Sequence, residues 1–143
     1  MEDMVWHFTT GQKYVLIQQD GKLKRAAIGV SYPELPILWF SAHKLYEPSA
    51  LKLLVQARRQ ATLEELREIG MGVFRYGVPK SSLIPWPELA TKARMSRSMT
   101  RKLESRAVQM GSDPSDWYGS LEDLPIKDMV IQRMNDEHQW DLI

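Results

Sequence analysis

Apolar residues fall in short continuous or alternating runs over the first forty positions and then settle into three- and four-residue spacing, which predicts strands first and helices after. Tyr14 to Gln19 (YVLIQQ) and Leu23 to Val30 (LKRAAIGV) flank Asp20-Gly21, and that pair between β-prone runs predicts a β-hairpin. Pro33 and Pro36 interrupt the chain before Ile37 to Phe40 (ILWF), a short strand or buried extended segment with Trp39 expected in the core. Pro48 suits a first helical turn, and Leu51, Leu54, Val55 and Arg58 follow at helix spacing, predicting an amphipathic helix from Pro48 to about Gln60. Thr62 and Glu65 form a capping box for a second helix, docked by Leu63, Leu66 and Ile69 and ended by Gly70. The glycines and aromatics of Met71 to Val78 suit a strand or irregular connector.

Pro87 opens a further short helix that ends near Ala93. Ser96 is an N-cap for the next, on which Met99, Leu103, Ala107 and Met110 make one apolar stripe before Gly111, with Arg97, Ser98, Arg101, Lys102 and Ser105 on other faces. Asp113-Pro114 caps a single turn through Trp117, and Ile126, Met129, Val130, Arg133 and Met134 outline a final amphipathic helix. The predicted fold class is α+β: an N-terminal β-hairpin and short strand packed with about four to five helices. One compact domain over residues 1–143 is expected, with a β-rich part over 1–47, a helical part over 48–110 and an acidic helical segment over 111–143.

With 43% hydrophobic and 26% charged residues the chain has the balance of a folded globular protein. No apolar run approaches the roughly 18 residues that span a bilayer, and the start is acidic and then polar, so a cytoplasmic protein is expected. The absence of cysteine excludes disulfides, thiolate metal sites and cysteine nucleophiles. Charge is the more telling property. The whole chain carries +1, yet from Ser81 to Met110 six basic residues (Lys92, Arg94, Arg97, Arg101, Lys102, Arg106) face only Glu88 and Glu104. Residues 111–143 run the other way, with Lys127 and Arg133 against eight acids. A basic helix behind a shorter one, followed by an acidic segment, suits contact with nucleic acid.

The segment Leu89 to Leu103 resembles the helix-turn-helix superfamily of DNA-binding domains: Leu89-Ala90, Ala93, Met95 and Leu103 stand where that family has its helix-fixing apolar and small residues. The match covers about twenty residues, within 87–110, and Arg94 and Thr100 depart from the usual glycine and branched aliphatic. The resemblance implies a sequence-dependent DNA-binding regulatory protein acting on double-stranded DNA, with Arg97, Ser98 and Arg101 toward base edges. Lys102, Lys92 and Arg106 would hold phosphates, with neutral contacts from Thr91 and Ser96.

Other features carry less. Lys22, Lys24 and Arg25 in the predicted hairpin suit a DNA-contacting arm or, more simply, an edge strand kept from pairing. His7, His43 and His138 lack metal-ligand spacing, the neighbouring acid pairs do not form a dyad, and no nucleophile elbow or P-loop is present, so no enzyme, metal or cofactor is expected. The five tryptophans suit base stacking or core burial, and their even spread favours burial. Ile126, Met129, Val130 and Met134 offer a face for a homodimer or a protein partner. The alternative function is therefore a protein-protein interaction module, a small adaptor or inhibitor, in which basic helix and acidic tail meet a protein partner.

Overall fold

The computed structural model describes residues 3–51, 53–54 and 59–143. Its frame is a seven-stranded antiparallel sheet, which replaces the expected hairpin with four to five helices. In chain order the elements are β1 (Met4–Thr10), α1 (Gly11–Asp20), β2 (Lys22–Leu23), β3 (Leu38–Ser41), β4 (Leu53–Leu54), β5 (Arg59–Gln60), α2 (Leu63–Ile69) and β6 (Val73–Pro79). There follow β7 (Ile84–Pro85), α3 (Glu88–Lys92), α4 (Arg97–Gln109), β8 (Trp117–Ser120), β9 (Leu124–Pro125), β10 (Val130–Met134) and β11 (Trp140–Leu142). The sheet runs β11-β10-β6-β1-β3-β8-β7, while β2 pairs with β9 and β4 with β5.

Three expectations are corrected. Tyr14 to Gln19 lies in helix α1, and Asp20-Gly21 ends that helix instead of turning a hairpin. Gly21, at φ 70, returns its N–H to the Ile17 carbonyl. Glycine supplies a left-handed residue to either structure, so the pair alone does not choose between them. Pro48 to Gln60 is not one helix: Pro48–Ala50 is a single 3-10 turn, and two short strands follow. The parts of that expectation at 52 and 55–58 lie outside the described residues. Finally, Val130 to Met134 is strand β10, which fills the edge of β6 from Val130↔Gly77 to Arg133↔Phe74. Ile126, Met129, Val130 and Met134 therefore share no helical face. Ile126 and Met129 pack with Leu23 and Leu38, whereas Met134 is buried beside Leu66 and Val73.

Other local signals have the form their residues suggest. The Thr62–Glu65 capping box opens α2, Ser96 accepts from the Met99 N–H at the start of α4, and Asp113 caps the turn before β8. Strand alternation then sorts the core. Leu38 and Phe40 join Val5, Leu23 and Tyr76 in a cluster to which α1 adds Tyr14 and Ile17. Trp39, between them, packs with Trp86, Trp117 and the apolar sides of α3 and α4. Arg75 crosses the sheet between the Trp6 and Trp140 rings, 3.7 and 4.4 Å from their centroids, and donates to Gln132 and to the Lys44 carbonyl. Burial lowers its pKa to about 10, so it keeps its charge near neutrality.

The two halves of the sheet, β11-β10-β6-β1 and β3-β8-β7, meet at a thin seam. β1 and β6 are paired along seven residues, but β1 and β3 only at Trp6↔Ser41. Among the described residues no helix is long and apolar enough to cross a membrane.

Candidate functional site: a cleft at the sheet seam

A cleft of about 660 Å³ opens where β1 and β3 part. Its apolar walls include Phe8, Trp39 and Trp117, with Leu103 and Ala107 from α4 and Met110 at its end. Trp39, Trp86 and Trp117 form one aromatic cluster with ring centroids 5.1 to 5.8 Å apart. Trp86 is fixed behind the wall by donating its Nε1–H to Glu104 at 2.9 Å. Three of the five tryptophans, Trp6, Trp39 and Trp117, thus line the cleft, Trp39 and Trp117 with Trp86 packed behind them, a preformed surface for a planar group.

Two polar side chains stand against these walls. His7 lies on β1, and its Nδ1 is 2.8 Å from the Trp39 carbonyl. A carbonyl only accepts, so Nδ1 carries the proton and Nε2 presents a lone pair. Burial lowers the His7 pKa, against the opposing pull of that carbonyl, and Lys13 lowers it further. The ring is neutral at physiological pH, and its Nε2 has no protein partner among the described residues.

Glu47 precedes the Pro48 turn and is 6% exposed. Ser41 Oγ donates to its Oε1 at 2.9 Å, while the Ser49 N–H and Oγ reach Oε2 at 3.0 and 2.5 Å and Ser112 Oγ donates to the same oxygen. Burial alone would raise its pKa. Hydrogen bonds from Ser112, Ser49 and Ser41 outweigh that and hold it below the ordinary carboxylate range. Among the described residues no Lys or Arg forms an ion pair with this carboxylate. Its charge is stabilised by neutral donors, and Oε1, with one of them, keeps acceptor capacity. At the mouth Arg106 and Gln109 line the cleft from α4, and both are exposed.

The residues expected to read DNA are placed differently from one another. Leu89, Ala90 and Ala93 are buried together, with Met95 and Leu103 packed against them, so α3 and α4 are held by the residues that carried the resemblance. Arg94, in the turn between them, adopts φ 58, the left-handed conformation usually given to glycine. Lys92 is 3.8 Å from Glu88, Thr91 is exposed on α3, and the Ser96 hydroxyl is engaged as the helix cap. Arg97, Ser98, Arg101 and Lys102 are exposed on α4, whereas Arg106 belongs to the cleft.

No protein-family model, curated protein or solved structure matches the chain.

Glu47 and the serines around it carry no local sequence signal of a site, and His7 is set aside by its lack of metal-ligand spacing. The available signals were slight: His7 on an apolar strand, and an acidic residue before Pro48-Ser49, which marks a cap. Ser112 lies 65 positions from its partner Glu47, a distance no local pattern spans.

Proposed function

We propose that the protein binds a nucleotide in the seam cleft. The reading is carried by one observation: His7, whose Nε2 has no protein partner among the described residues, and the ionised Glu47, with no cationic partner among them, line the same tryptophan-walled cleft. Such a site selects a ligand with a flat unsaturated body for the Trp39 and Trp117 side and hydroxyl or amino donors for the acceptors. A nucleoside combines these groups in one molecule. Arg106 at the mouth adds a cation suited to a phosphate.

Titration of tryptophan fluorescence with nucleosides and nucleoside monophosphates tests this. Saturable quenching is expected, weakened at least about tenfold by Glu47→Gln, the loss attending removal of a charged hydrogen-bond partner. Arg106→Ala should weaken the monophosphate and leave the nucleoside unchanged. The absence of saturable quenching by any nucleotide at millimolar concentration, or unaltered affinity in the Glu47 variant, would overturn the reading.

A further inference from the structure

The outer face of α4 adjoins the cleft and gathers four cations on one helix. Arg25, Arg59 and Arg67 each meet a carboxylate, Asp123, Glu65, and Glu64 with Asp136 respectively. Among the described residues, Arg97, Arg101, Lys102 and Arg106 form no ion pair. The single acid on α4, Glu104, accepts from Trp86 and so serves the packed side. Lys102 and Arg106 are four apart and therefore follow one stripe, about 6 Å along the helix axis, that leads to the cleft mouth. Arg97 and Arg101 form the neighbouring stripe. Four cations at helical spacing, open to solvent and continuous with a cleft for a flat ring, complement a chain of phosphates bearing bases.

We propose that the face of α4 is a track for the sugar-phosphate backbone of a single-stranded nucleic acid, one nucleotide of which enters the cleft. This rests on the nucleotide reading of the cleft. A single strand is favoured over a duplex because a base held in a duplex stack must first be extruded before it can enter such a cleft. Arg97 and Arg101 contact backbone phosphates, Lys102 and Arg106 guide the strand to the mouth, and Trp39 and Trp117 receive the base.

Fluorescence anisotropy with a labelled random single strand, as DNA and as RNA, and with the matching duplex, at two salt concentrations, tests the track. The wild-type protein should bind the single strand more tightly than the duplex, with affinity falling as salt rises. The double variant Arg97→Glu, Arg101→Glu should bind the strand at least about tenfold more weakly and flatten the log-log salt slope by about 1.4, since each phosphate contact contributes about 0.7 on single strands. Its titration with a mononucleotide, read by tryptophan quenching, should match wild type because neither arginine lines the cleft. A double variant that binds the strand as wild type does at both salts overturns the track and leaves the cleft reading standing. Tighter binding of the duplex overturns it too and returns α4 to groove reading. Loss of strand binding in the double variant together with unaltered mononucleotide binding in Glu47→Gln removes the cleft's part, and with it the proposed entry of a base.

Discussion

Glu47 is a buried anion without a countercharge among the described residues, and its neighbours are consequently under strict demand. Ser41, Ser49 and Ser112 must all turn their hydroxyl protons toward it. Ser112→Ala removes one donor from an ionised acceptor and should destabilise the fold by about 1–3 kcal/mol in chemical denaturation. It should also raise the pH at which Glu47 takes up a proton, since its hydrogen bond helps keep the pKa low. His7 has a related effect at milder pH. The folded ring titrates below the ordinary histidine value of 6.5, so as pH drops past that value the unfolded chain gains the proton first and stability falls. Glu47 acts in a lower window: its stabilisation is complete above the ordinary value of 4.5 and is lost as pH falls through the lower folded value. The thermal midpoint should accordingly decline from just above pH 6.5 downward, and His7→Phe should flatten the upper part of that decline. A wild-type midpoint constant from pH 7 to 5.5 would show that His7 is not held neutral by the fold.

At the scale of elements, one glycine decides a packing arrangement and another a helix end. A Cβ at Gly119 on β8 would stand 2.7 Å from Leu89 Cδ2, 2.9 Å from Ile37 Cγ2 and 3.0 Å from the Leu38 carbonyl oxygen. Gly119→Ala should therefore push α3 from the sheet, cost about 1–3 kcal/mol and loosen the tryptophan cluster, seen as a shift in tryptophan emission. Gly21→Ala meets no neighbour, and its expected cost of about 1–2 kcal/mol comes from the positive φ alone. The same elements show what the sequence made legible. α2, α4 and the turn at Pro114 carry their own caps, and a cap is a local hydrogen bond that a short stretch of sequence specifies. α1 has no side-chain cap, and it leaves Val15 and Leu16 more than half exposed, so its apolar pattern mimics a strand. β10 has the reverse character: Met129, Val130 and Met134 fit helical spacing, but an unfilled edge of β6 and two separate core clusters take them up as a strand and its approach. Partner edges and cluster membership depend on residues far along the chain, and the cleft, gathered from residues 6 to 117, depends on them throughout.

For the molecule as a whole, the single Trp6↔Ser41 pair is the narrowest link in the sheet. The His7 contact to the Trp39 carbonyl is a second link across the same gap, made by a side chain instead of the backbone. Each half has its own rigidity: β1 is zipped to β6 over seven residues, and β3 to β8 over four. Occupancy of the gap by a ligand that touches both strands should suppress opening there first. Amide hydrogen exchange is expected to slow at β1 and β3 on adding nucleotide while β10 and β11 exchange as before. The strands that bound the cleft then act as the two jaws of a vice that has no screw of its own. A ligand that fills the space would tighten it and lend the fold, thinly joined along one line, the stiffness that an unbroken sheet would already possess.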